Sequence, residues 1–373
     1  MSNTWHHISD LAQQALAEAE IRTEFPEIRG LQTGVPEIDE KMSPALDAGR
    51  LVVIAGESGR GKTAMAAQFA AAFAHQVPVL WLSLEDDKID ATRRLLANLA
   101  RVPVSGLRNG FKLGSVPNAV RTGVDTVSDM PLFIQSETDH VMGIARTTAT
   151  WVAKHGAKGP IRGVLIVDQL SHILPMPYDK DLNAELERKG LPVPPRQTDN
   201  DVKVLEWQIA VLREIAVRLN MLVVVLHQLN QVRDDDGRPS MSSVRGSQGI
   251  VHKADLVVIP YRPRTIANPF SGPGQPKTVE AEQDAAELIC VKGRVVSAGW
   301  SVKLRFDGAH QRFVSPNEAP TPDGHAPAYE APEAFSDRAM EGAKRLADLR
   351  AKLELQRSIE RRTAGELEKG TEQ

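Results

Sequence analysis

The chain has 373 residues, enough for two average domains or for one large α/β domain with extensions. Apolar content of 42% and charged content of 25% are ordinary for a globular protein, and a formal net charge of −3 does not announce a nucleic-acid binder, although acidic surface elsewhere can offset a basic channel. The single cysteine, Cys290, rules out an intrachain disulfide, and no apolar stretch approaches the length of a membrane span or a signal-peptide core, so a soluble, cytoplasmic protein without a membrane partner is expected.

Residues 5–20 place Ile8, Leu11, Ala12, Ala15, Leu16 and Ala19 at helical spacing behind a candidate Ser9 cap. This helix either packs on its own core or docks on a neighbouring subunit. From Gly30 to about Val314 strands alternate with helices. The expected strands are 51–55, 79–84, 131–135, 163–167, 221–226, 255–259 and 287–291, with 301–306 and 311–314 as a closing hairpin. The central runs are nearly continuous Val, Ile and Leu, as when helices cover both faces of a sheet. The expectation is a doubly wound, mostly parallel α/β domain. Two stretches break the rhythm: 175–200, with five prolines and many charges, and 262–284, rich in Pro, Gly and polar residues. Both read as long loops. Residues 315–332 read as a Pro/Ala linker, and 334–369 as a charged, solvated or partly disordered helical tail with Leu346, Leu349 and Leu353 on one face. The expected organisation is 1–29 as a linker-type helix, 30–314 as the domain, and 315–373 as linker and tail.

Directly behind the run 51–55 stands Gly56-Glu57-Ser58-Gly59-Arg60-Gly61-Lys62-Thr63, followed by an Ala-rich stretch to Ala74. This is G-x-x-x-x-G-K-[ST] in the strand-to-helix context that makes it a phosphate loop. The glycines let backbone N–H groups and a helix N-terminus face a polyphosphate. Lys62 can reach the β- and γ-phosphates, and the Thr63 hydroxyl can sit on Mg²⁺. A nucleoside triphosphate with Mg²⁺ is therefore the expected ligand. Asp168, ending Val164-Leu165-Ile166-Val167, fits the carboxylate that holds the metal, partly through water. Glu85 ends the next apolar strand and is the preferred base for an attacking water; Asp86 and Asp87 either compete for that role or cap the following helix. In an open parallel sheet ligands lie at the carboxyl ends of strands, which brings Glu85 and Asp168 to one nucleotide. Gln228, at the end of 221–226, reaches the same edge and can hydrogen-bond a γ-phosphate.

Leu31-Gln32-Thr33-Gly34 with Ile38-Asp39, the phosphate loop, Ser83-Leu84-Glu85, Arg93-Arg94-Leu95-Leu96, Leu165-Ile166-Val167-Asp168 and Gln228-Leu229-Asn230 follow one another in order. With Arg245, Ser247, Ala254-Asp255 and Lys292-Gly293-Arg294, the series resembles the C-terminal ATPase domain of DnaB-type replicative helicases over roughly Gly30 to Val314. The resemblance implies a RecA-like core that assembles into a ring, usually a hexamer, with ATP between subunits. It implies that Lys62 and Thr63 hold phosphates and Mg²⁺, Asp168 anchors the metal, Glu85 activates water and Gln228 senses the γ-phosphate. Lys292 and Arg294 would reach the neighbour's nucleotide, Arg294 as an arginine finger. The loop 230–249 would face single-stranded DNA, with Arg245 and the backbone around Gly246 and Ser247 on phosphate, and with Arg233, Arg238 and Lys253 adding charge.

The sequence departs from the family at Asp86, Gln169 and Gly246, enlarges the loop after Leu174, and shows no counterpart of the family's N-terminal collar domain. These departures suggest a divergent, phage- or plasmid-like member and leave primase or loader contacts open. The leading expectation is an ATP-dependent ring helicase moving 5′→3′ on single-stranded DNA. The alternative is a RecA-fold ATPase whose nucleotide gates assembly or partner binding without unwinding.

Overall fold

The computed structural model describes residues 7–25, 30–112, 115–137, 139–176, 179–195, 201–229, 238–244, 247–263, 265–267, 278–280, 283–318, 341–346, 348–349 and 352. They fall into two compact units. The larger comprises Leu31–Ala157 and Ile161–Ala334; the smaller comprises the two chain ends with Lys158–Pro160.

In chain order the elements are α1 (Ile8–Glu24), α2 (Pro36–Met42), β1 (Arg50–Gly56), α3 (Lys62–Ala74), β2 (Val79–Ser83), α4 (Lys88–Ala100), α5 (Val104–Asn109), α6 (Asn118–Ser128) and β3 (Leu132–Gln135). Next come α7 (Val141–His155), β4 (Val164–Asp168), α8 (Lys180–Arg188), α9 (Asp201–Arg218), β5 (Leu222–Gln228), α10 (Ser247–Lys253) and β6 (Leu256–Tyr261). A small ladder of β7 (Thr265–Ala267) and β8 (Thr278–Glu280) precedes β9 (Ala285–Gly293), β10 (Ser301–Asp307) and β11 (Arg312–Val314).

Nine strands form one sheet in the order β11-β10-β9-β6-β1-β5-β4-β2-β3. The six from β6 to β3 run parallel, and β9, β10 and β11 add an antiparallel flank. The parallel strands at the centre are buried on both faces, which is why they read as unbroken apolar runs. Helix α3 lies so close to its neighbours that every residue except Thr63 is buried, and its alanines permit that approach. Buried Gln68 anchors it: its amide nitrogen donates to the Phe313 carbonyl (2.9 Å), and its amide oxygen accepts from the Phe313 N–H (2.9 Å). One side chain thus satisfies the edge of β11 and fixes the helix behind the phosphate loop. Asp39 does similar work upstream, accepting from the Thr33 N–H (2.6 Å), the Thr33 hydroxyl (2.8 Å) and the Gly34 N–H (3.2 Å).

The nine expected strands are present, and four features differ from the sequence reading. The stretch 175–200 contains α8, capped by the Asp179 carboxylate on the N–H groups of Asp181 and Leu182 (both 2.9 Å), and 262–284 contains β7 and β8. Short regular pieces between prolines and glycines are too brief to show periodicity. In the smaller unit α1 is capped by the His7 ring, which accepts from Ser9 N–H, rather than by Ser9 itself, and none of its residues is buried. Also in that unit Leu346 packs on Phe25, both buried, and Arg345 pairs with Glu24 at 3.0 Å, so part of the tail is folded rather than solvated. No helix among the described residues is long and apolar enough to cross a membrane.

Candidate nucleotide site and an opposing cation cluster

Strand β1 delivers Gly56 to the carboxyl edge of the sheet, where the chain turns through Gly59 (φ 73°) and Gly61 (φ 97°) into α3. Gly61 has no alternative: a Cβ there would take strained dihedrals and lie 2.8 Å from the Phe313 ring. Arg60 pairs with Glu57 at 3.1 Å, and the Lys62 ammonium folds back to donate to the Glu57 carbonyl at 3.0 Å. Burial lowers the Lys62 pKa, while Glu85, Asp168 and Glu57 act against that loss.

Strands β2 and β4 are neighbours in register, Ser83 opposite Asp168. Beyond β2 the N–H groups of Leu84 (2.6 Å) and Glu85 (3.0 Å) donate to the Asp168 carbonyl, so Glu85 is held beside Asp168 by the backbone. The three acidic residues after β2 then separate. Asp87 caps α4 through the N–H groups of Ile89 (2.7 Å) and Asp90 (3.1 Å), and Asp86 pairs with Arg94 at 2.9 Å. Glu85 stays exposed on a cleft of about 340 Å³, which is also lined by Ser58, Lys62, Thr63, Phe306 and Gln311. Arg94 braces the rim by donating to the Gln311 amide oxygen at 2.8 Å. On the other side Gln228 stands in register with Gly56, and Leu229 N–H donates to the Gly56 carbonyl at 3.2 Å.

Asp168 is fully buried; the Thr63 hydroxyl faces its carboxylate, but among the described residues neither oxygen makes a hydrogen bond of good geometry. Burial, aided by Glu85 and Asp86, pushes its pKa up to about 7, against the Thr63 hydroxyl and Lys62. A buried carboxylate short of partners, beside a hydroxyl and a phosphate-loop lysine, suits a divalent cation with bound phosphates. The residues present therefore fit Mg²⁺–ATP, with Thr63 and Asp168 on the metal side.

The amino edge of the sheet is chemically opposite. Asp255 is fully buried there, accepting from Leu51 N–H at 2.9 Å and from Arg213 Nη1, with Arg294 Nη1 at 3.4 Å and Arg50 Nη1 at 3.6 Å. Arg294 also donates to the His252 carbonyl at 2.8 Å. Lys292 donates to the carbonyls of Val251, His252 and Ala254 at the end of α10, capping that helix. Burial, with Arg294 and Arg213 nearby, pushes the Lys292 pKa down to about 8. Because Asp255 bonds the start of β1 and the phosphate loop follows its end, the cations lie roughly 15–20 Å from their own loop at ordinary strand rise. Lys292 and Arg294 do not meet Lys62, Thr63, Glu85, Asp168 or Gln228 within one chain.

Of the expected DNA contacts, Arg245, Gly246 and Arg233 lie outside the described residues, and only the backbone of Ser247 is described, opening α10. The loop is pinned at its base by a bridge between Leu229 and Val244. Arg238 does not contribute free charge as expected: it forms a bidentate pair with Glu287 (2.6 and 3.3 Å). Asp255, Arg213 and Arg50 were missed as a group. The one signal was a carboxylate placed immediately before an apolar strand, which must be paired if buried.

Fold and phosphate loop define a RecA-like phosphate-loop domain. Residues 30–315 match the DnaB-like helicase C terminal domain family, and the chain belongs to that family. It is 28% identical over 292 residues to "Replicative DNA helicase DnaB" of Leifsonia xyli subsp. xyli, covering 76% of this chain and 56% of that relative. Among solved structures, an isolated ATPase domain superposes with a TM-score of 0.66 at 19% identity, covering 84% of this chain and 99% of that one. "The Structure Of A DnaB-Like Replicative Helicase And Its Interactions With Primase" gives 0.62 at 19%, covering 77% and 63%. The chain spans rather more than half the length of the curated relatives it matches.

Proposed function

We propose that the protein is an ATP-dependent DNA helicase that works as a ring, a hexamer moving 5′→3′ as its family implies, in DNA replication. The observation that carries this reading is the separation of the phosphate-loop edge from the Lys292–Arg294 edge of the same sheet. Neither cation can serve its own nucleotide, whereas in a head-to-tail ring one edge faces the other of the next copy. In this reading Lys62 and the loop residues Gly56–Thr63 hold the phosphates, and Glu85 orients and deprotonates the attacking water. Bound Mg²⁺, held at Thr63 and Asp168, would neutralise charge on the phosphates. Gln228 reports the γ-phosphate to strand β5 and hence to the base of the loop at Leu229. Arg294, with Lys292, supplies positive charge in trans, which makes hydrolysis depend on assembly. Arg245, Gly246 and Ser247 hold single-stranded DNA by its phosphates, so binding is insensitive to sequence and sensitive to salt. One structural relative is described with primase, which supports testing primase or a loader as partners.

The test is unwinding of forked duplexes with 5′ or 3′ single-stranded tails in ATP and Mg²⁺. Opening of the fork that depends on a 5′ tail is expected. ATP turnover with no strand separation on either substrate would contradict the helicase reading and favour a nucleotide-gated assembly factor.

A further inference from the structure

Asp255 gathers more positive charge than it can neutralise. Three guanidinium groups, from Arg50, Arg213 and Arg294, converge on this one carboxylate, and Lys292 stands close enough that Arg294 and Arg213 depress its pKa. Among the described residues the sum is four cations against one anion. The other carboxylate felt by Arg213, Glu214, is already paired with Arg218 at 2.7 Å. An ion pair serving only stability would need a single arginine, since each added like charge opposes the others. The arrangement suits a site that is short of an anion until one arrives.

The geometry is specific. Arg213, from α9, takes Oδ2 of Asp255, and Arg294, following β9, approaches Oδ1, while Leu51 N–H fixes the carboxylate to the start of β1. Each guanidinium spends one terminal nitrogen on the anchor, and Arg294 a second on the His252 carbonyl, out of five N–H donors in all. The side chains remain partly open to solvent, 22% for Arg213 and 46% for Arg294. We propose that Arg213 belongs to the same phosphate-facing set as Arg294, contacting the polyphosphate of a nucleotide held by a second copy of this chain, and that Asp255 is the positioning residue that aligns the two arginines. This rests on the trans-acting reading of Lys292 and Arg294 above. Arg213 touches the neighbour's phosphates; Asp255 acts through the arginines and touches none.

The experiment mixes full-length protomers and reads DNA-stimulated ATP turnover. Lys62→Ala removes a protomer's own phosphate grip but keeps its cation edge; Arg213→Ala and Arg294→Ala do the reverse. Each variant alone should lose most of its turnover, by roughly 10²-fold for Arg213→Ala as a lost donor to developing charge and by about 10³-fold for Arg294→Ala. Mixing Arg213→Ala with Lys62→Ala should restore at least tenfold over either parent, as should mixing Arg294→Ala with Lys62→Ala. Restoration with Arg294→Ala but not with Arg213→Ala overturns the assignment of Arg213 alone. Restoration with neither overturns the trans reading, and the proposal with it. If the alanine variant does not fold, Arg213→Lys, which keeps a charge on Asp255 but loses the planar fork, gives the same partition. Asp255→Asn should lower kcat with KM for ATP unchanged; a folded variant with unchanged kcat overturns the positioning role.

Discussion

Asp168 and Asp255 are both fully buried carboxylates on one sheet, the first at the carboxyl ends of the parallel strands and the second at their amino ends. Their surroundings are opposites. Among the described residues Asp168 has no hydrogen bond of good geometry on either oxygen and is pushed up to a pKa of about 7, whereas Asp255 has a backbone N–H and three arginines. Burial therefore does not determine what a carboxylate is for. The under-satisfied one is ready for a cation and its phosphates; the over-supplied one is a frame that holds cations out toward something else.

Four changes break or sharpen that contrast. Arg294→Ala should have the largest effect, lowering DNA-stimulated ATP turnover by about 10³-fold, within the range for arginine fingers. A fluorescent-nucleotide titration of the same variant at low protein concentration should show unchanged binding by single protomers. Glu85→Gln should cost about 10²-fold or more in steady-state turnover while still binding nucleotide, as expected for loss of a general base. Asp255→Asn should lower stability by roughly 3 kcal/mol or more in urea unfolding, because it leaves arginines crowded around a neutral group.

Asp168→Asn should act in the other direction and more weakly on stability. Its folded pKa is raised, so the folded chain holds a proton that the unfolded chain has released, and stability falls as pH rises from about 4 to about 7. The asparagine variant escapes that loss. Its melting temperature without nucleotide should exceed that of the parent by a few degrees at pH 8, with the difference closing toward pH 4, as read by thermal scans at several pH values. Turnover should nonetheless collapse.

The central strands were legible because a two-sided sheet demands unbroken runs such as Val164-Leu165-Ile166-Val167, and the phosphate loop because Gly61-Lys62-Thr63 between strand and helix admits few other readings. Placement of Glu85 beside Asp168 followed from strands ending at one edge, and the structure adds the reason Asp86 and Asp87 are occupied elsewhere. The Asp255 cluster was not legible. Arg294, Arg213 and Leu51, which meet Asp255, lie 39, 42 and 204 residues from it along the chain, at the end of β9, on α9 and on β1, and no periodicity links them. The same holds for Gln68 and Phe313, 245 residues apart. Helix α8 was hidden between prolines, although Asp179 is an ordinary cap and Asn183 and Leu186 mark its buried face.

The most direct measurement of the central claim is ATP turnover per protomer across a dilution series, with and without single-stranded DNA. If the amino edge of one copy completes the site on the carboxyl edge of the next, turnover per protomer rises steeply with concentration, is enhanced by DNA, and vanishes on dilution while nucleotide binding persists. Turnover per protomer that stays constant on dilution and indifferent to DNA would contradict the account, since every residue needed would then lie within one chain.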